Sequence, residues 1–184
     1  IMALIYAYLT DEIEVVGIVT EYGNITRDNA LRTVQYLGEE VLVTDEPEQA
    51  VTIAGAEKSM TAVEVDVVPE IHGEFGLGPI IPPANQNGVA LENFFTIVDI
   101  IEEYGEDLHI VNVGRLTSLA TMYLLYPRTM EQIKHIYVMG GAFWIPGNVT
   151  AVSEANFHGD PVAAQIALTY AEKVTIIPLN VTQH

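Results

Sequence analysis

Apolar residues along this chain alternate between two spacings, one typical of buried strands and one typical of helices. Short runs rich in aliphatic and β-branched residues predict strands over 15–22, 49–56, 108–114, 136–141 and 174–181. Apolar spacing near 3.6 residues predicts helices over 1–9, 26–38, 89–104, 116–127 and 160–173. The stretch 69–88 is rich in glycine and proline and is interpreted as a loop.

Local signals support several of these boundaries. Thr26 is a typical helix N-cap, Gly38 a typical residue beyond a helix end, and Asp160 followed by Pro161 a typical helix start. Strands that alternate with helices indicate an α/β fold, with an open, mostly parallel (Rossmann-like) sheet and helices on both faces. The length of 184 residues predicts a single domain over 1–184.

The charge balance narrows the range of partners. Seven basic residues against 25 acidic residues give a formal net charge of −18, and such a field repels nucleic acid and anionic membrane surfaces. The longest apolar run, residues 1–9, is far shorter than the roughly 20 residues of a membrane helix. We therefore expect a cytoplasmic protein with neither nucleic acid nor membrane as a partner. Without cysteine, any metal must be held by oxygen or histidine ligands.

Polar and glycine-rich segments come after four of the predicted strands. They read Glu-Tyr-Gly-Asn at 21–24, His-Gly-Glu-Phe-Gly-Leu-Gly at 72–78, Val-Gly-Arg-Leu-Thr-Ser at 113–118, and a longer segment at 139–156. In a parallel sheet, ligands bind beyond the carboxyl ends of the strands, where these segments meet. Glycine admits close backbone approach, and Asn and Glu offer hydrogen bonds to hydroxyl groups. The pattern predicts a site for a polyhydroxylated small molecule.

Motifs in this order and spacing resemble the inosine–uridine preferring nucleoside hydrolases over essentially the whole chain. The most specific are Met-Gly-Gly-Ala at 139–142 and Gly-Asn-Val-Thr, Glu and Asn between 147 and 156, with Asp-Pro after them. The resemblance implies hydrolysis of the N-glycosidic bond of ribonucleosides to free base and ribose. It also implies a calcium ion held by aspartates and one backbone carbonyl, which assists attack of water at the anomeric carbon. A homo-oligomer, dimer or tetramer, is expected as well.

The resemblance implies roles for three residues in holding the ribose. Asn148, Glu154 and Asn156 correspond to side chains that hydrogen-bond the sugar hydroxyls, and the Glu154 carboxylate would favour the cationic transition state. Taken singly, Asn148 also fits a turn after Gly147, and the other two fit a solvated loop. The joint match favours the ribose-binding interpretation.

Four further residues correspond to positions of the family's site. Asn24 corresponds to an asparagine near ribose and metal, His72 to a loop histidine on the nucleobase side, and Met139 to a residue that packs against the ligand. The backbone carbonyl of Val113 corresponds to a metal ligand. Each has a structural alternative: a turn for Asn24, a structural role for His72, and a core position for Met139.

Departures from the family pattern leave the base preference open. Arg115 stands where proline is usual, and Ala155 where an aromatic residue is usual. Phe143 and Trp144 could stack on a base, but the sequence does not fix their direction. The resemblance implies an aspartate-rich opening motif with the metal carboxylates and the general base before the position of Ile1, and a further metal-binding aspartate after that of His184; residues 1–184 contain neither. We therefore expect a domain truncated at both ends, whose catalytic base is unknown, and which by itself binds calcium weakly or not at all and has no measurable hydrolase activity.

Two other functions compete with this interpretation. A non-catalytic paralogue or fragment of the family would keep the fold and bind a nucleoside or a partner chain. A dinucleotide-binding domain is disfavoured, because no predicted strand is followed by Gly-x-Gly-x-x-Gly.

Overall fold

A computed structural model describes residues 1–40, 50–61, 67–84 and 92–183. Its strands are β1 (Gly17–Thr20), β2 (Val51–Ala54), β3 (His109–Asn112), β4 (His135–Met139) and β5 (Val174–Ile177). Every pair is parallel: β1 pairs with β2, and β4 lies between β3 and β5. The expected α/β architecture with parallel strands is confirmed, and the described strands form one sheet of two and another of three.

Helices connect these strands. They are α1 (Met2–Leu9), α2 (Arg27–Glu40), α3 (Pro69–His72), α4 (Thr96–Tyr104), α5 (Thr117–Leu125), α6 (Pro127–Met130), α7 (Ala155–Gly159), α8 (Pro161–Tyr170) and α9 (Leu179–Thr182). In the parts of the chain that the structure describes, no helix is long and apolar enough to cross a membrane.

The main core combines residues of the three-stranded sheet and of β2 with helices α4, α5 and α8. Ile136 and Val138 of β4 are almost fully buried there, against a cluster that includes Met122 of α5 and Ala167 of α8. Alternate residues of a strand point to opposite faces, and Tyr137, between them, is only half-buried. This packing fixes the carboxyl ends of β3 and β4 relative to the start of α5.

Several predicted boundaries are wrong for identifiable reasons. The predicted helix 116–127 divides into α5 and α6, because a residue before proline disfavours helical backbone and Tyr126 adopts φ −133°, ψ 54°. The predicted strand 174–181 stops at Ile177, because Pro178 cannot donate to a sheet ladder, and α9 follows.

Two other predictions also need correction. Helix α2 continues past Gly38 to Glu40, and the predicted loop 69–88 contains α3, which begins at Pro69. Proline suits the first helical turn because its missing N–H would have no partner there. The predicted helix 89–104 begins only at Thr96, and its first part up to residue 91 lies outside the described residues.

Candidate active site

Glu154 is a buried carboxylate just beyond the end of β4. It is the N-cap of α7, and its side chain accepts hydrogen bonds from the backbone N–H groups of Gly141 (3.0 Å), Asn156 (2.8 Å) and Phe157 (3.2 Å). Only 2% of Glu154 is exposed, so the solvated-loop alternative is wrong for this residue. Three backbone donors hold the negative group in one place at the edge of the sheet.

The Asn156 amide joins the ends of two strands. Its Nδ2 donates to the Met139 carbonyl at 3.0 Å and to the Val113 carbonyl at 3.4 Å, and it lies 3.2 Å from the Met139 sulfur. Among the described residues, its Oδ1 makes no hydrogen bond. Met139 and Val113, predicted from separate motifs, therefore meet at one side chain that keeps an acceptor for a ligand.

Asn148 is held against the same segment. Its Oδ1 accepts the Ala155 N–H at 2.9 Å, and its own N–H donates to the Ser153 carbonyl at 3.2 Å. Gly147 is required for this close approach, because a Cβ there would overlap the Ser153 backbone. The exposed Asn148 Nδ2 makes no hydrogen bond among the described residues, so it remains a donor.

Asn24 and His72 belong to a second group. The Asn24 carbonyl accepts the Val68 N–H at 3.0 Å, directly before α3, and the His72 carbonyl at the end of α3 accepts the Gly78 N–H at 2.9 Å. No hydrogen bond between described residues joins either residue to Asn156. A single cleft lined by both groups stays a prediction.

A largely buried polar cluster joins the loop after β1 to α5 and to the N-cap of α8, and sequence reasoning missed it. The Ser118 N–H donates to Glu21 at 3.1 Å, and the Thr117 hydroxyl donates to Asp160 at 2.7 Å. The Tyr22 hydroxyl lies 3.1 Å from the Thr117 hydroxyl. Desolvation raises the pKa of Glu21 to about 7 against opposing hydrogen bonds from Ser118 and Thr117. The available sequence signal was an acidic residue directly after a buried strand.

Arg115 lies beside this cluster, with part of its guanidinium group unsatisfied. Its Nε and Nη1 atoms are buried and have no hydrogen-bond partner among the described residues. Gly159 packs against the guanidinium so closely that an added Cβ would overlap it. Arg115, which stands where the family usually has proline, therefore places a cation between the loop after β1 and the end of α7.

The described residues do not fit a calcium site. Calcium takes six to eight oxygen ligands, several of them from carboxylates. Among the described residues, no three His, Asp or Glu side chains lie close enough together to hold a metal, and the Val113 carbonyl is in contact with the Asn156 amide.

Comparison with known proteins decides the family. A family model described as "Inosine-uridine preferring nucleoside hydrolase" matches residues 1–184. The chain belongs to the inosine-uridine preferring nucleoside hydrolase family. This membership confirms the resemblance based on the motifs, over the same full range.

Relatives within the family carry different substrate names. The chain is 30% identical to uridine nucleosidase 1 of Arabidopsis thaliana, over 98% of this chain and 53% of the relative. It is also 30% identical to the inosine-uridine preferring nucleoside hydrolase of Crithidia fasciculata, over 98% of this chain and 56% of the relative. The chain thus spans about half the length of the curated relatives it matches.

A solved structure confirms the fold of this nucleoside hydrolase family member. The purine-preferring ribonucleoside hydrolase from Gardnerella vaginalis is 31% identical and superposes with a TM-score of 0.87. The superposition covers 97% of this chain and 57% of that structure. The parallel strands and helices described above are therefore part of the nucleoside hydrolase fold.

Proposed function

We propose that the protein carrying this chain hydrolyses the N-glycosidic bond of ribonucleosides, releasing free base and ribose. The observation that carries the proposal is a set of linked residues at the carboxyl ends of β3 and β4 in a member of this family: Val113, Met139, Asn148, Glu154 and Asn156. Beyond the carboxyl ends of parallel strands is where α/β proteins bind small ligands.

The free hydrogen-bonding groups suit a sugar with neighbouring hydroxyls. Asn148 keeps the Nδ2 donor and Asn156 keeps the Oδ1 acceptor, and a hydroxyl group can accept from the first and donate to the second. Glu154 adds negative charge in a buried position, where it favours a transition state with positive charge on the sugar ring. Water then replaces the base at the anomeric carbon.

Substrate identity is proposed only as a class. The relatives are named for uridine, for inosine and uridine, and for purines, so the shared chemistry is the ribonucleoside. A net charge of −18 favours neutral nucleosides over phosphorylated nucleotides. The family resemblance implies that calcium assists the reaction. We propose that its ligands include residues outside the described ranges.

Substitution of Glu154 tests this proposal in the full-length polypeptide that carries residues 1–184. We expect Glu154→Gln to lower ribonucleoside turnover on the order of 10²-fold, because the amide removes negative charge from the reacting centre. Glu154 also caps α7, so the free energy of unfolding should fall by about 1 kcal/mol as well. Hydrolysis of inosine and uridine and unfolding in urea are measured in parallel.

Controls separate catalysis from folding. Glu131→Gln changes the same chemical group at an exposed position and should leave turnover unaltered. Asn156→Ala should lower turnover too, because it removes the proposed acceptor for a sugar hydroxyl. Parent-like turnover in Glu154→Gln and Asn156→Ala would contradict the proposed site. Nucleoside binding without any turnover by the parent would favour the non-catalytic paralogue.

A further inference from the structure

The backbone at Trp144 is held in an unusual conformation. Trp144 has φ 59°, the left-handed region, and no other non-glycine residue among those described has a positive φ. A bulky residue rarely adopts this conformation unless its surroundings impose it. The indole ring gains no burial in return, because Trp144 is 100% exposed.

Hydrogen bonds from the start of α9 fix the chain just before Trp144. The Asn180 side chain makes two hydrogen bonds to the backbone of Phe143. Its Oδ1 accepts from the Phe143 N–H at 3.1 Å, and its Nδ2 donates to the Phe143 carbonyl at 2.7 Å. The Leu179 N–H donates to the Gly141 carbonyl at 2.9 Å. Hydrogen bonds thus hold the backbone next to the exposed indole in one conformation. Such preorganisation lowers the entropy lost when a ligand binds.

This aromatic segment adjoins the polar site. Gly141 donates its N–H to Glu154, and a Cβ placed on Gly141 would lie 3.7 Å from the Phe143 ring. The Phe143 and Trp144 rings lie 6.1 Å apart, tilted by 50°. Ala155, next to Glu154, contributes only a methyl group. Phe157 also lies against Gly141, but its ring packs against the core. The exposed aromatic surface beside the polar groups therefore comes from Phe143 and Trp144.

We propose that Trp144, flanked by Phe143, is the surface on which the nucleobase of the bound ribonucleoside stacks. The inference rests on the proposed function, since it takes the polar groups as the ribose site. A ribonucleoside joins a hydroxyl-bearing ring to a flat heteroaromatic ring, which matches a polar set with an aromatic surface beside it. Stacking tolerates different bases but is stronger for a purine, which overlaps more of the indole.

Trp144→Gly tests the role without an added folding defect. Glycine adopts positive φ freely, so the variant removes the ring and relieves the backbone at once. In the full-length polypeptide we expect KM for inosine to rise about 10-fold, KM for uridine to rise less, and kcat to stay near the parent value. Trp144→Phe should restore most of the affinity. Val152→Ala, an exposed apolar change in the same loop, should leave KM unaltered.

Fluorescence separates this inference from the proposed function. This chain contains one tryptophan, and the difference between parent and Trp144→Phe isolates its emission in a longer polypeptide. Inosine and free hypoxanthine should quench that emission in a saturable way, and ribose alone should not. Hydrolysis with no saturable quenching and a parent-like KM in Trp144→Gly would overturn the inference while the proposed function stands. Quenching by hypoxanthine without hydrolysis would support the inference and contradict the proposed function.

Discussion

At the scale of single residues, the Glu21 carboxyl group leaves water when the chain folds. Desolvation raises its pKa from an ordinary value of 4.5 to about 7, although Ser118 and Thr117 donate hydrogen bonds to it. The native state therefore binds a proton more tightly than the unfolded chain between these two pH values. This tighter proton binding stabilises the native state. The stabilisation is fully present below pH 4.5 and is lost as pH rises towards 7.

Removing this carboxyl group should flatten the pH dependence of stability. Urea unfolding of the parent and of Glu21→Gln is compared across the range from pH 4.5 to 7. As pH rises from 4.5 to 7, the free energy of unfolding of Glu21→Gln should increase relative to that of the parent by on the order of 3 kcal/mol. Glu12→Gln, an exposed change of the same type, serves as the reference. A parent-like slope in Glu21→Gln would show that this group is hydrated in the native protein.

Glu154 illustrates what residue-level prediction could and could not reach. Its place in the Gly-Asn-Val-Thr, Glu, Asn motif predicted a ribose-binding carboxylate. The structure adds that the same oxygens accept N–H groups from Gly141, Asn156 and Phe157. Sequence could not show this, because the Gly141 donor is 13 residues away and arrives only when the loop folds back. The ribose-binding role itself stays a prediction.

At the scale of elements, Asp160 connects three parts of the structure. It caps α8 by accepting the Ala163 N–H at 3.0 Å, and it also accepts the Met60 N–H at 2.9 Å and the Thr117 hydroxyl at 2.7 Å. The residue has 0% exposure. Its removal would leave buried donors without partners, and each such donor costs about 1–3 kcal/mol.

Asp160→Ala is therefore expected to lower the free energy of unfolding by about 3 kcal/mol or more. Asp160→Asn keeps an oxygen for the helix cap and should lose about half as much. Both are measured by urea unfolding, beside Asp11→Ala as an exposed control. Equal stability of Asp160→Ala and Asp11→Ala would contradict the connecting role.

Element types were more predictable than their limits. The apolar runs predicted every described strand, because buried parallel strands need continuous aliphatic residues. Asp160 before Pro161 predicted the start of α8 correctly. The sequence does not predict the five-residue helix α7, because it lacks a repeated apolar pattern and is capped by Glu154, which was interpreted as a ligand group or as part of a solvated loop and not as a helix cap. Short helices of this kind depend on tertiary contacts more than on propensity.

At the scale of the whole molecule, residues 1–184 alone should bind calcium weakly. The family's calcium needs several carboxylate oxygens, and the described residues bring no three acidic or histidine side chains together. Calorimetric titration of this polypeptide should show no saturable heat at micromolar calcium. The full-length polypeptide, titrated in parallel, is the positive reference. Micromolar affinity in residues 1–184 would mean that they hold a metal site of a different composition.

The oligomeric state and compartment stay predictions. Helix α1 carries an apolar sequence, yet none of its residues is buried, and Met2, Tyr6 and Leu9 are strongly exposed. An apolar surface of this kind is typical of a face that packs against more protein. The expected homo-oligomer and the expected cytoplasmic location both rest on the sequence alone.

Sequence by itself determined the fold class, the family and the residue types of the candidate site. These are encoded locally, in apolar periodicity and in the order of short motifs, and both can be recognised in the sequence alone. Only the tertiary structure decided which groups remain free for a ligand, since that depends on partners distant along the chain. It joined Val113, Met139 and Asn156, brought Glu21 against the start of α5, and fixed the backbone of Phe143, next to Trp144, through Asn180. Hydrogen bonds and desolvation act through space, and a linear pattern does not record them.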